Sequence, residues 1–244
     1  MKGIFRDLCF VLPFLLLALP AGALEITHVP QPRQDLPSSA RVLLPEQAEP
    51  LPLTATRRLE LMLFDNFGLK PEAAERMRLE VEQIFASMAT DIEWMDPLSE
   101  APVEVVGIRL RVILIPSPPQ AWGLRDRTMG VVFGREGLVD TVYIFPPAVM
   151  RTLQRFPEEA EPNRLQRQNH RWARALGRVV GHEIIHAVAP DHPHAPNGLL
   201  RARQSRFSLS APELALDALC AEVFMARLQS RMQTAESARI RRER

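Results

Sequence analysis

Cysteine is nearly absent from this chain of 244 residues, with only Cys9 and Cys220 present. Cys9 falls in a leader, so the folded protein keeps one thiol, which excludes an intramolecular disulfide and a zinc knot built from several cysteines. The neighbours Leu216, Leu219 and Val223 place Cys220 on the packed side of a helix. An excess of either charge is missing too. Once Lys2, Arg6 and Asp7 leave with the leader, 28 basic residues face 28 acidic ones. Such a balance gives no reason to expect a nucleic-acid partner, and the basic run from Arg239 to Arg244 reads as a solvated end. The apolar run from Leu8 to Leu19 is broken by Pro13 and is too short to span a bilayer.

What is there begins with that run. Lys2 and Arg6 precede it and Ala21-Gly22-Ala23 follows it, the pattern of a secretory signal peptide over residues 1–23, cut near Leu24. The expectation is export to the periplasm or the medium, with no stable membrane insertion after cleavage. Residues 24–55 carry Pro30, Pro32, Pro37, Pro45, Pro50 and Pro52 with little apolar periodicity, which predicts an extended arm or linker. A folded domain is expected from about residue 56 to 232, with a basic tail over 233–244.

Within the domain, Met77, Val81, Ile84, Phe85 and Met88 recur at helical spacing behind Pro71, predicting an amphipathic helix over 71–89. A short strand is expected at Ile92 to Met95, a largely buried one from Val103 to Ile115, and two more at Met129 to Phe133 and Thr141 to Phe145. A long helix follows from Asn163 to Ala189, buried through Trp172, Leu176, Val179, Val180 and Ile184, with Arg167, Arg171, Arg174 and Arg178 as its charged face. Another helix is expected from Pro212 to about Gln229. This order is α+β, a small mixed sheet packed on helices.

Four of the six histidines stand in one stretch, Gly181-His182-Glu183-Ile184-Ile185-His186, continuing through His192 and His194 to Gly198-Leu199-Leu200. Residues four apart lie one turn above each other, so His182 and His186 can aim two imidazoles at one ion from one helix face. Glu183, beside that face, can reach a water at the ion without being a ligand. Two helical histidines and such a carboxylate form a zinc hydrolase motif, in which Glu183 is the general base. Pro190 must end the helix. The chain therefore turns back after His186, as it has to if His192 or His194 is to join the same ion.

These residues resemble the metzincin metallopeptidases, whose zinc helix is followed by a third histidine and a turn containing methionine. Measured against the matrix-metalloproteinase pattern, His192 falls at the third-ligand position. A set of secreted bacterial metzincin-like proteins carries that histidine two residues later, and His194-Ala195-Pro196-Asn197-Gly198-Leu199-Leu200-Arg201-Ala202 is similar to their pattern, as is Leu176-Gly177-Arg178-Val179-Val180 before the motif. The similarity covers roughly residues 170–202. It implies a metzincin-like zincin fold, Zn2+ held by His182, His186 and either His194 or His192, with His194 preferred, and a protein or peptide substrate. Two departures stand out: Ala189 where a turn glycine is usual, and Leu200 in place of the turn methionine, a change of nearly equal volume.

Three further readings come from the same residues. Glu213 and Asp217 have a spacing by which another zinc-peptidase class supplies a carboxylate ligand. Tyr143, the only tyrosine, lies on a strand that can line a cleft, where cross-strand packing is the simpler role. The alternative to a peptidase is a catalytically silent zinc-binding envelope protein in which the metal is a structural brace.

Overall fold

The computed structural model describes residues 57–97, 108–135, 138–153, 164–214 and 216–242. The expected signal peptide, the expected proline-rich arm with His28, and Asn163, the expected start of the long helix, lie outside the described residues. Strand β1 (Arg57–Asp65) opens the domain, followed by helix α1 (Pro71–Ala86), β2 (Thr90–Met95) and β3 (Ile108–Leu114). A short 3-10 turn at Gln120–Trp122 leads to β4 (Gly130–Arg135) and β5 (Leu138–Ile144). Helices α2 (Pro146–Leu153), α3 (Arg164–Val188), α4 (Arg206–Ser210) and α5 (Ala218–Arg242) complete the chain.

The five strands form one mixed sheet in the order β2-β1-β3-β5-β4. β1 pairs in parallel with β2 and β3, β3 pairs in parallel with β5, and only β4 runs antiparallel, against β5. The α+β expectation therefore holds. Alternation explains which face is buried: Leu59, Leu61, Ile108, Leu110, Val112, Leu114, Val142 and Ile144 all point to one side and are almost wholly shielded from water. Against them lie Met77, Val81 and Phe85 of α1 and Leu176, Val179, Val180 and Ile184 of α3, in one continuous core. Each fully buried aliphatic chain contributes about 1.5–3 kcal/mol relative to exposure.

Four elements differ from the sequence expectation, and of these α4 has no predicted counterpart at all. β1, central to the parallel part of the sheet, has no predicted counterpart, although Leu59, Leu61 and Leu63 alternate with Arg58, Glu60 and Met62. Its residues are mostly good helix formers, and burial in the sheet overrides that preference. Pro146 and Pro147 end β5 as expected but also open α2, since proline suits the first helical turn. α5 starts at Ala218 and continues to Arg242, later and longer than the expected span to Gln229.

The charged face of α3 is also corrected. Arg178 is 2% exposed and bonds through Nε to Glu80 Oε1 of α1 at 2.8 Å, while its Nη1 donates to the carbonyls of Ser208 and Leu209 at 3.1 Å. Arg174 donates to the Ser210 carbonyl at 3.1 Å. These arginines fasten α4 to α3 instead of facing water. The close approach of α1 depends on Gly177, where a Cβ would come within 2.7 Å of the Met77 carbonyl oxygen and of Glu80 Cβ. From the other side, Arg231 of α5 donates to the Ala187 carbonyl at 2.8 Å and so caps the last turn of α3.

Candidate metal centre

α3 stops at Val188, two residues before Pro190. The Ala189 amide still reaches the Ile185 carbonyl at 2.8 Å, and the His192 amide then turns back onto the Ala189 carbonyl at 3.0 Å. A second turn is closed by the Ala195 amide on the Leu200 carbonyl at 2.9 Å, with Gly198 at φ +74°, a left-handed conformation that costs glycine little. These turns carry the chain back beneath the helix. They bring His194 to the two helical histidines.

Ligand atoms of His182, His186 and His194 lie within 4.8 Å of one another, the one group of three or more metal-ligating side chains found among the described residues. The ring centroids are 4.8 Å apart for His182 and His186, 5.4 Å for His182 and His194, and 4.7 Å for His186 and His194. His192 stands beside this group without being part of it, and its buried Nε2 has no hydrogen-bond partner. Glu213 and Asp217 are not in the group; Asp217 instead accepts from the Leu219 amide at 2.9 Å, at the start of α5. His170 is exposed on the first half of α3.

The orientation of His182 is fixed from below. A carbonyl can only accept, so the 2.7 Å contact of His182 Nδ1 with the Leu199 oxygen assigns the proton to Nδ1 and leaves Nε2 as the free lone pair. Gln204 donates to the same oxygen at 2.6 Å and holds it in place. Neither Leu199 nor Gln204 was legible as a site residue, because their roles arise from turn geometry. Leu200, where the resemblance has methionine, is 1% exposed in the core under the turn.

Electrostatics favour neutral ligands. Burial lowers the His182 pKa to about 4, with the Leu199 bond opposing it and His194 adding to it, and burial with the neighbouring His182, His194 and His192 lowers His186 to about 3. His194 is also lowered, first by burial and then by His192. Uncharged imidazoles with lone pairs are what a divalent ion requires. His186 Nε2 is buried without a hydrogen-bond partner, an orphan that a cation would satisfy. Burial raises the half-buried Glu183 to about 8, and a cation beside it would stabilise its ionised form. The three imidazoles, the orphaned nitrogen and the adjacent carboxyl fit a metal ion.

Glu183 has a second neighbour, at the start of the edge strand. A Cβ on Gly130 would fall 2.5 Å from Glu183 Cγ and 2.8 Å from its Oε1, so only glycine lets β4 pass this close to the carboxylate. A glycine inside a strand is itself the sequence signal for such an approach. Tyr143 alternates with the buried Val142 and Ile144, so it stands on the opposite face of the sheet. There it packs edge-on against Trp122 and Phe133, with centroids 4.9 and 5.7 Å away, as cross-strand packing requires.

No protein-family model and no curated protein matches this chain. Among solved structures, the chain is similar to the archaemetzincin of Methanopyrus kandleri, at 13% identity and a TM-score of 0.44, over 73% of this chain and 99% of that one. It is also similar to a zinc-dependent peptidase from Methanocorpusculum labreanum, at 9% identity and a TM-score of 0.45, over 68% and 99% of the two chains.

Proposed function

We propose that this protein is an exported zinc-dependent metallopeptidase. The observation that carries the reading is the convergence of His182, His186 and His194 within 4.8 Å, directly beside Glu183. Three neutral nitrogen ligands that leave room for a fourth position are the donor set of a catalytic zinc site, whereas structural sites are usually closed by four protein ligands. When bound, the ion would supply a Lewis acid for the scissile carbonyl and lower the pKa of a water molecule toward neutrality.

The chain's own residues would do the rest. His182 is held as a ligand by the Leu199 carbonyl, so its ring does not have to be ordered when the metal arrives. Glu183 accepts a proton from the attacking water and passes it to the amine that leaves. β4 is an edge strand that reaches the site at Gly130, and its outer side has no strand partner among the described residues. An extended peptide laid along that side would pair through its backbone and bring a peptide bond beside Glu183.

The test is metal analysis of the purified protein, followed by digestion of a peptide library with and without chelator. Zinc at one equivalent and chelator-sensitive cleavage are expected. Glu183→Gln should keep the zinc and lose about 10²- to 10⁴-fold in turnover, the usual contribution of a general base. A wild-type protein that holds no zinc, or a Glu183→Gln variant with full turnover, overturns the proposal. Zinc retained without cleavage of any peptide would assign the site to a structural brace.

A further inference from the structure

Arg174 and Arg178 turn away from bulk water toward a cavity on the side of α3 that faces α1. It measures about 320 Å³ and lies between α1, α3, Leu199 and the residues Pro212, Glu213, Leu214 and Leu216. Its polar wall carries Arg76, Arg174 and Arg178, with Glu80 between them and Glu213 at the rim.

The positive charge here is only partly compensated. Glu80 is committed to Arg178 at 2.8 Å, and Arg178 spends Nη1 on two backbone carbonyls. Arg174 uses Nη2 on the Ser210 carbonyl and leaves a buried Nε with no hydrogen-bond partner. Arg76 forms no ion pair among the described residues, and neither does the exposed Glu213. Burial and the nearby charges of Arg178, Arg76 and Arg171 all act against the protonated form of Arg174, with Glu80 opposing them. A buried donor without a partner is rare in folded proteins, and crowded guanidinium groups cost free energy that an anion would relieve.

The remaining wall is apolar, formed by Ile84, Leu199, Leu214 and Leu216. An inorganic anion would leave that surface unused. The volume also matches the lower end of pockets that take small organic ligands.

The geometry points to this cavity as a binding site for a small organic carboxylate, with its anionic end on Arg76 and Arg174 and its apolar body against Ile84, Leu214 and Leu216. None of the histidines lines the cavity, although it shares Leu199 with the turn behind His182, and the assignment stands whether or not the protein is a peptidase. Two natural sources share the chemistry, a fatty acid and the carboxyl end of a peptide.

Calorimetric titration of the full chain with decanoate, N-acetyl-leucine and inorganic phosphate tests the assignment. Saturable binding of decanoate or of N-acetyl-leucine is expected, and the tighter of the two names the source. Arg76→Gln should weaken it about tenfold, the loss that follows from removing one charge-assisted hydrogen bond. Glu213→Gln should strengthen binding. Arg78→Gln, on the same helix but stacked over Trp94, should leave it unchanged. Arg76 makes no ion pair that the fold depends on, so its variant stays interpretable if Arg174→Gln fails to fold. Absence of saturable binding by either carboxylate, binding of phosphate alone, or wild-type affinity in Arg76→Gln overturns the proposal.

Discussion

His182 on the long helix and Leu199 in the turn beyond it are joined by a 2.7 Å hydrogen bond across seventeen residues. The bond makes the turn part of the site. It places the turn's backbone directly behind a ring whose other nitrogen faces His186 and His194.

Gly198 is the hinge of that turn. Its φ of +74° would cost an alanine about 1 kcal/mol or more in the left-handed region. Gly198→Ala should therefore lower the melting temperature by about 2–4 °C and speed metal loss, because the Leu199 carbonyl moves with it. Thermal unfolding and zinc release to a chromogenic chelator would show both effects. Metal release at the wild-type rate would separate the turn from the site.

His192 and His194 can be told apart by metal content. His194→Ala is expected to lose most bound zinc at micromolar protein concentration, since it removes a member of the only three-histidine group among the described residues. His192→Ala should retain it. Atomic absorption after gel filtration reads the difference, and the reverse result would give the third position to His192.

Gly130→Ala should leave the fold intact and damage turnover. The added methyl would sit 2.5 Å from Glu183 Cγ, so the carboxylate has to move. Displacing a catalytic group by about an ångström costs on the order of 10²-fold in rate. Steady-state kinetics should place the loss in kcat, with zinc content unchanged.

Arg178 and Glu80 form a buried pair, so removing one partner strands the other. Arg178→Met should cost about 3–5 kcal/mol, and adding Glu80→Met should recover much of it. Urea denaturation of the two variants and the parent measures the cycle. Equal stability of single and double variants would show that the carboxylate is not isolated in the single one.

The metal-free protein should be most stable in mildly acidic solution. His182 and His186 have folded pKa values of about 4 and 3, below the ordinary 6.5, so their contribution is present above 6.5 and is lost as the pH falls. Glu183 runs the other way: its folded value of about 8 lies above 4.5, so its contribution is present below 4.5 and is lost as the pH rises toward 8. With His182 and His186, joined by the likewise lowered His194 and His192, outweighing Glu183 below 6.5 and Glu183 dominating at higher pH, the melting temperature should peak near or just above 6.5. Glu183→Gln should flatten the alkaline side, and an unchanged alkaline side would exclude Glu183 as its source.

The helical half of the site could be read from the sequence because a four-residue spacing on a helix is a geometric statement. His182 and His186 needed no tertiary information, and Pro190 required the chain to turn. The choice between His192 and His194 depends on how two consecutive turns are closed, a matter of backbone bonds such as that from the Ala195 amide to Leu200. Gly130 and Arg178 were present as letters without their meaning. The first acts through what it lacks next to Glu183, and the second through a partner ninety-eight residues earlier. β1 was missed for a different reason, since its alternation is clear but its residue types favour helix.

The cap that Arg231 places on Ala187 has a bearing on how the protein matures. The donor lies 44 residues beyond its acceptor. During synthesis the histidine helix therefore emerges well before the residue that caps its last turn, and the Ala187 carbonyl waits for its side-chain donor until Arg231 has been made. A chain cut short before α5 would lack that donor and leave the carbonyl at the end of the histidine helix to water.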